Sequence, residues 1–388
     1  MQLSFAQLEM NTRIKRQSKL NKADAVIEWE ALRPLLQGLY KREATHGGGQ
    51  EPIDPLIMFK AILLGQWHSL SDPKLEEALY VRIDFMQFCG LSMLDRVPDE
   101  TTLCRFRNRL VRGNKLKPLF DAVNAQLQKN GLMVEHAQGA VLDATFITSA
   151  ARPKRQITIE EIASDDSEAA NSATNNAPSD AANGTANTSA GSSAEGNNAT
   201  SNTTSNKYTV EAKLSADPDA TWTKKGKQYS FGHRGTVVVD AVDGYVVGVH
   251  TTPANVSEFK SFAPALATVT SIKPRRLYAD KGYASAANRA HLQGQEIKSA
   301  IMHKANRNKP LSKRQKNANK CISRTRYIVE QCFGTLKRIF KMGRASYMGT
   351  VKVNSQLLMK AICLNLLKAA NKIHLTPPKV GEVRLEGA

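Results

Sequence analysis

The first 135 residues carry apolar side chains at helical spacing. Between Pro55 and Trp67 the apolar positions recur every three or four residues, which predicts a helix. Two further helices are predicted to begin at the steps Ser71-Asp72-Pro73 and Val97-Pro98-Asp99, because each step combines a capping side chain with a proline. The pattern therefore predicts a mostly helical N-terminal region.

From Ala140 onward the pattern changes to short apolar runs of strand length. Strands are predicted over residues 140–147, 231–240, 245–251, 275–280 and 299–303. Helices are predicted over residues 257–269, 285–292, 324–340 and, with an amphipathic pattern, 353–373. Strands that alternate with helices in this order predict an α/β core built on a mixed sheet.

A low-complexity tract interrupts this second region. Residues 164–206 consist mainly of Ser, Asn, Ala, Thr and Gly, and they include no aromatic residue, no Leu, Ile or Val, and no Lys or Arg. Such a segment cannot bury enough apolar surface to offset the entropy that it would lose on ordering. We therefore predict a disordered insertion.

The chain is strongly basic, with 54 Lys plus Arg against 35 Asp plus Glu and a formal net charge of +19. This balance indicates a polyanionic partner, but it does not distinguish an enzyme from a structural RNA binder. The N-terminus does not resemble a signal peptide, and no apolar run approaches the roughly 20 residues that span a bilayer. We therefore expect a cytoplasmic protein without a membrane partner. The five scattered cysteines are expected to be free thiols.

Two aspartates fall within or at the end of predicted core strands. Asp143 lies in Val-Leu-Asp-Ala-Thr, and Asp280 ends the run Leu-Tyr-Ala-Asp. A carboxylate among apolar residues is costly to bury unless it is paired or bound to a metal, and ligands of α/β proteins bind at strand ends. One such aspartate is more often satisfied by a lysine or a backbone amide, but two in one sheet favour a functional site. Asp240 and Asp243, beside a glycine in a hairpin turn, are interpreted instead as turn formers.

A third acid lies on the helix predicted over residues 324–340. Arg326 precedes Glu330 by four residues and Lys337 follows it by seven, so the three side chains share one helix face. Glu330 can point towards the sheet while the two basic side chains face a phosphate backbone. The same spacing also describes an ordinary surface ion pair, which is worth only about a few tenths of a kcal/mol.

Together these motifs resemble the DDE transposases of bacterial insertion sequences, in particular the "IS five" family of the "IS four"-like group. Asp143 matches the family's first catalytic aspartate and Asp280 the second, in Ala-Asp-Lys-Gly-Tyr. Glu330 matches the glutamate of the helix signature Tyr-x2-Arg-x3-Glu-x6-Lys, although Ser323 replaces its tyrosine. Residues 251–256 are similar to the family's Thr-Pro-Ala-Asn segment. The low-complexity tract is not part of the family's pattern.

The resemblance implies an RNase H-like mixed sheet with flanking helices, the DDE transposase/integrase-like core, preceded by an all-α N-terminal domain. The expected domains are a helical DNA-binding or assembly domain over 1–135, a catalytic core over 136–345 that contains the insertion, and a C-terminal helix with a loose tail over 346–388. The resemblance also implies divalent cations, Mg²⁺ with Mn²⁺ as a substitute, held by Asp143, Asp280 and Glu330. Three carboxylates suit this role because Mg²⁺ takes hard oxygen ligands, and two ions can act on both the attacking and the leaving oxygen of a phosphodiester.

A basic stretch supports DNA as the substrate, since no acid occurs between Glu296 and Glu330. The residues expected to contact DNA are Arg326, Lys337, Lys313, Arg314, Lys316, Lys320, Arg324, Arg105 and Arg107. The last two lie on a helix that is either part of a helix-turn-helix DNA-binding element or a packing helix with a solvated basic face. If about six cations of the stretch neutralise phosphates, log affinity should fall with log salt at a slope near about −5.

The predicted function is that of an insertion-sequence transposase that binds terminal inverted repeats and catalyses cleavage and strand transfer on double-stranded DNA. Its partners are the element ends and target DNA, and proteins of this kind are expected to act as a homodimer or larger assembly, associated with the nucleoid. Two alternatives are kept, an RNase H-like nuclease without strand transfer and a catalytically inactive, repurposed DNA-binding protein. A strand-transfer assay separates the first from a transposase, and an Asp280→Asn variant separates the second.

Overall fold

The computed structural model describes residues 18–40, 51–134, 138–153, 158–160, 207–209, 215–305, 307 and 310–373. They belong to two compact units, one built from residues 1–152 and 215–388 and the other from residues 153–214. The insertion predicted over residues 164–206 and the tail predicted from Thr376 lie outside the described residues.

Helices and turns make up the described residues up to Val134. The helices are α1 (Lys19–Asp24), α2 (Arg33–Leu36), α3 (Pro55–His68), α4 (Asp72–Val81), α5 (Ile83–Cys89), α6 (Glu100–Arg112) and α7 (Leu116–Lys129), with a 3₁₀ turn over Trp29–Leu32. The predicted starts of α3, α4 and α6 are confirmed. Asp54 caps α3 by accepting a 2.7 Å hydrogen bond from the Leu56 N–H, and Asp99 caps α6 by accepting one of 2.7 Å from the Thr102 N–H.

A mixed sheet of six strands forms the centre of the first unit. The strands of the chain are β1 (Ala140–Thr148), β2 (Thr158–Glu160), β3 (Lys207–Thr209), β4 (Thr221–Lys225), β5 (Gln228–Asp240), β6 (Val246–Pro253), β7 (Arg276–Ala279) and β8 (Lys298–Ile301). In the sheet, β5 pairs antiparallel with β1 on one side and with β4 and β6 on the other, and β7 and β8 extend the sheet parallel to β1. Strands β2 and β3 pair antiparallel in the second unit.

The turn between β5 and β6 is held by Asp240. Its carboxylate accepts hydrogen bonds from the backbone N–H groups of Val242, Asp243 and Tyr245 at 2.9, 2.7 and 2.6 Å. This confirms the interpretation of Asp240 as a turn former, since an acid that satisfies three backbone donors is committed to the local fold. Gly244 supplies the positive φ, +69°, that the turn requires.

Four more helices complete the first unit: α8 (Glu258–Ala267), α9 (Ala286–Gly294), α10 (Lys313–Arg338) and α11 (Thr350–Lys372). Helix α10 begins eleven residues earlier than its apolar pattern predicts, because Ser312 and Gln315 form a capping box at its start. The prediction that α11 is amphipathic is wrong, because the helix is buried on most sides, between β6 and helices α3 and α7. Its buried Asn365 accepts a 2.9 Å hydrogen bond from the Val246 N–H. The N-terminal helices therefore share a core with the sheet.

Among the described residues no helix is long and apolar enough to cross a membrane. The five cysteines are free, as predicted. Cys89, Cys332 and Cys363 are buried, and burial raises the pKa of each thiol to about 12.

Candidate functional site

Parallel pairing of β1 with β7 brings two of the predicted site residues together. Val141 is paired with Tyr278 and Leu142 with Ala279, so the next residue on each strand is Asp143 or Asp280. Because the two strands are parallel neighbours, Asp143 lies beside Asp280 at the carboxyl end of β7, and strand ends of this kind are where α/β proteins bind their ligands.

Helix α10 packs on β1 and β7 and carries the third predicted acid. Its buried side chains are Ile322, Val329, Cys332 and Leu336, which recur at helical spacing. Arg326 is mostly buried, whereas Glu330, one turn further along the helix, is exposed.

The guanidinium of Arg326 lies between the two aspartates. Its Nη2 donates a hydrogen bond to Asp143 Oδ2 at 2.6 Å, and its Nη1 donates one to Asp280 Oδ1 at 3.3 Å. The side chain of Asp143 is 16% exposed and that of Asp280 is 32% exposed. Helical spacing suggests that Arg326 faces a phosphate backbone, but in this structure it bridges the two acids, which we call the carboxylate pair.

The charges of the site depend on one another. Burial raises the pKa of the Asp143 carboxyl, and the nearby charge of Arg326 offsets only part of that effect. Burial alone would lower the pKa of the Arg326 guanidinium, but the charges of Asp143, Asp280 and Glu330 raise it. Arg326 therefore stays positively charged. Its charge offsets the repulsion between the neighbouring carboxylates of Asp143 and Asp280.

Glu330 joins this site by its charge rather than by a direct contact. It is one of the acids that raise the pKa of Arg326, yet it forms no ion pair with any described residue. Among the residues that the structure describes, no group of three His, Cys, Asp or Glu side chains lies close enough to hold a metal ion. The structure brings two of the three predicted metal ligands together and leaves the third one helical turn beyond Arg326.

The turn after Asp280 contacts a further acid. Lys281–Tyr283 form a 3₁₀ turn, and a side chain on Gly282 would collide with Oε2 of Glu258 at the start of α8. Glycine therefore allows that carboxylate to approach the backbone of the turn. Glu258 also lies 3.6 Å from Nη1 of Arg234 on β5. In the sequence, Glu258 lies shortly after the Thr-Pro-Ala-Asn segment.

The residues predicted to contact DNA differ in their exposure. Arg107 is buried. Both ends of its guanidinium donate hydrogen bonds to Asp72, at 2.7 and 2.9 Å, and its Cζ lies 4.5 Å from the centre of the Tyr347 ring. Arg105 is exposed. The other exposed cations are Lys313, Arg314, Lys316, Lys320, Arg324 and Lys337 on α10. Within the described part of the chain none of these six forms an ion pair, so their charge is available to a polyanion.

Comparison with known proteins identifies the family. Two family models match the chain, one described as "Transposase domain (DUF772)" over residues 8–109 and the other as "Transposase DDE domain" over residues 191–366. The transposase for insertion sequence element IS1106 from Neisseria meningitidis serogroup B is 39% identical over 269 residues, which cover 69% of this chain and 78% of that relative. The chain belongs to the DDE transposases of insertion sequences.

In this transposase one of the two matched regions contains most of the site. Asp280, Arg326 and Glu330 fall within the DDE-domain match, whereas Asp143 lies outside both matched ranges and is connected to the others by the pairing of β1 with β7. No solved structure matches the chain.

Proposed function

We propose that this transposase binds the terminal inverted repeats of its element and catalyses metal-dependent DNA cleavage and strand transfer, with Asp143, Asp280 and Glu330 as the catalytic acids. The observation that carries the proposal is the carboxylate pair. Asp143 lies within β1, Asp280 directly follows the parallel neighbour β7, and one guanidinium bridges them. The strand order supports an RNase H-like core, since antiparallel β6, β5 and β1 are followed by parallel β7 and β8.

The side chains present fit a hard divalent cation. Asp143 and Asp280 offer carboxylate oxygens from rigid strands, and the exposed Glu330 has no competing ion pair among the described residues. These three residues would hold Mg²⁺, with Mn²⁺ as a substitute. The bound ions would supply activation of the attacking hydroxyl, from water or a DNA 3′ end, and stabilisation of the leaving oxygen.

Arg326 and the exposed cations have separate tasks in this proposal. Arg326 neutralises the carboxylate pair in the structure, and its planar fork, once released, can bind a phosphate through two parallel hydrogen bonds. The six exposed cations of α10 hold the DNA backbone without reading its sequence. Their charge also favours association with the nucleoid.

The assembly follows from the geometry of the substrate. One carboxylate pair per chain serves one element end at a time, and an element has two ends. We therefore propose that the transposase acts as a homodimer or larger assembly on paired ends and target DNA. Residues 1–135 are proposed as its DNA-binding or assembly domain, with Arg105 as an accessible contact and Arg107 as a packing residue.

The test is a cleavage and strand-transfer assay on a labelled duplex that carries the terminal repeats, with Mg²⁺ present. The wild type is expected to cleave and join. Asp280→Asn and Glu330→Gln are expected to lose both steps by on the order of 10³-fold, equivalent to about 4 kcal/mol of barrier, because each removes a metal ligand. DNA binding should persist in both variants.

The matched control is Glu77→Gln, which changes an exposed acid on α4 and should leave both steps intact. Full activity of Asp280→Asn would refute the assignment of the catalytic acids. Cleavage by the wild type without joining would favour the nuclease alternative, and DNA binding without either step would favour the inactive one.

A further inference from the structure

The hairpin formed by β4 and the start of β5 has two chemically distinct faces. Across the hairpin Trp222 is paired with Phe231 and Lys224 with Tyr229, so these four side chains share one face. Thr223 is paired with Ser230 on the opposite face. One face is therefore aromatic and basic. The other face carries the hydroxyl side chains of this pair and, nearer the tip, Lys225 opposite Gln228.

The exposure of these two faces is the reverse of what folding alone favours. Trp222 is 51% exposed and Tyr229 is 60% exposed, whereas Thr223 and Ser230 are half-buried. An antiparallel pair with one packed face normally buries its apolar side chains and exposes its polar ones. Exposed aromatic rings beside cations mark a surface that binds a partner.

The positive charge of the hairpin indicates which chemical class of partner it binds. Lys224 Nζ lies 5.0 Å from the centre of the Tyr229 ring, and Lys225 and Lys227 flank Gly226 at the tip. Within the described residues none of these lysines has a carboxylate at ion-pair distance. Aromatic rings interleaved with unpaired lysines fit a partner with flat rings and repeated negative charges.

Strand β5, which forms one side of the hairpin, also contacts helix α10. Burial, and next the charge of Lys225, lower the pKa of Lys337 on α10. Lys337 is seven residues beyond Glu330, which is about 10 Å along a helix axis. Two cations whose charges act on one another, neither of them ion-paired with a carboxylate of the described residues, favour an anion at that position.

We infer that this hairpin, residues 221–231, binds an unpaired stretch of DNA strand, with bases stacked on Trp222 and Tyr229 and phosphates held by its lysines and Lys337. Stacking on aromatic rings within a basic surface is how proteins hold single strands without reading their sequence. The inference rests on the proposed function, because it places the strand that the hairpin binds beside the acids that are proposed to cut and join it.

The test measures binding of a fluorescent oligothymidylate of about 15 nucleotides to the full chain, with EDTA present to prevent cleavage. Trp222→Ala is expected to weaken binding about tenfold, and Trp222→Phe to retain most of it because a ring is kept. Lys225→Gln should reduce the steepness of the salt dependence by about 0.7 while leaving stacking intact. In the control, Val242→Ala shortens an apolar side chain that is 57% exposed in the turn between β5 and β6, at the other end of β5, and should change nothing.

A direct readout is ultraviolet crosslinking of a strand that contains 5-iododeoxyuridine, with the crosslinks expected at Trp222 or Tyr229. Equal oligothymidylate affinity of the wild type and a Trp222→Ala, Tyr229→Ala variant would overturn the inference. So would a change in oligomeric state of that variant with unchanged DNA affinity, since the face would then belong to a protein contact.

The two proposals fail in different ways. Cleavage and joining of terminal-repeat duplex by a wild type that does not bind oligothymidylate would overturn the hairpin inference and leave the proposed function in place. Oligothymidylate binding that depends on Trp222, in a chain that neither cleaves nor joins, would support the hairpin and count against the proposed function.

Discussion

Two polar clusters in this transposase differ in how the charge of their aspartates is satisfied. The carboxylate pair depends on one guanidinium, that of Arg326, and is partly open to solvent. Asp217 is fully buried and is surrounded by several donors. Ser149 Oγ donates to it at 2.6 Å, the Gly349 N–H at 2.9 Å, and His233 Nε2 lies 2.9 Å away. The first cluster can exchange its partner for a ligand, and the second cannot.

The pKa shifts of Asp217 and Asp143 show the same contrast between the two clusters. Burial alone would raise the pKa of Asp217, but hydrogen bonds from Ser149, His233 and Gly349 lower it below its usual value. For Asp143, burial raises the pKa and Arg326 offsets only part of the effect. An acid enclosed by fixed donors stabilises the fold as an anion. An acid whose charge is balanced by one side chain can exchange that side chain for a bound cation.

The largest expected effect tests the structural cluster. Asp217→Ala should lower the free energy of unfolding by about 3 kcal/mol, because it leaves Ser149, His233 and the Gly349 amide buried without their acceptor. Urea unfolding followed by circular dichroism measures it. Glu77→Ala, at an exposed position, should shift stability by less than about 0.5 kcal/mol. A loss below about 1 kcal/mol for Asp217→Ala would mean that the cluster does not hold the fold.

A smaller effect is expected when the cation of the site is removed. Without divalent metal, Arg326→Gln should lower stability by about 2 kcal/mol, since two neighbouring carboxylates lose their partner. Mg²⁺ should then raise the unfolding temperature of the variant more than that of the wild type, because no guanidinium competes with it. Arg324→Gln, at an exposed neighbour, is the control. If Mg²⁺ raised the unfolding temperatures of the wild type and Arg326→Gln equally, the metal and the Arg326 guanidinium would not share a binding site.

The smallest effect concerns pH, where the two aspartates should act in opposite directions. The lowered pKa of Asp217 contributes stability that is present above its unfolded value of about 3.8 and lost as pH falls through the folded value. Asp217→Asn should therefore be less stable at neutral pH, with a shallower loss in acid. The raised pKa of Asp143 instead penalises the folded anion as pH rises, so Asp143→Asn should equal or exceed wild-type stability, within about 1 kcal/mol.

Unfolding curves between about pH 3 and pH 7 compare the three proteins. If Asp143→Asn lost more unfolding free energy at neutral pH than Asp217→Asn, Asp143 rather than Asp217 would be the aspartate that stabilises the fold.

Sequence patterns located the carboxylate pair because strands leave a local signature. The apolar runs around Asp143 and before Asp280 predict β1 and β7, and each aspartate occupies a strand or its end. The position of Arg326 could not be predicted in the same way. Helical spacing tells which residues share a face, but which face meets the sheet depends on contacts with residues far away in the chain.

The burial and partners of other residues could not be predicted from the sequence for the same reason. Asp217 lies in Ser-Ala-Asp-Pro-Asp, a turn composition, and its burial depends on Ser149 and Gly349, which are distant in sequence. Arg107 shares a helix with exposed arginines, and only Asp72 and Tyr347 distinguish it. Strand β4 was not predicted because its lysines and threonines give no apolar alternation.

The pairing of β2 with β3 has a consequence for the low-complexity tract between them. Thr158 lies opposite Thr209 and Glu160 opposite Lys207, so the two ends of the tract leave the paired strands side by side. When the ends of a segment are already joined, doubling its length costs only about 0.6 kcal/mol of closure entropy. The chain between Glu160 and Lys207 can therefore lengthen, shorten or receive a fused domain at little thermodynamic cost, which makes it a natural position for a reporter that leaves both ends of the protein free.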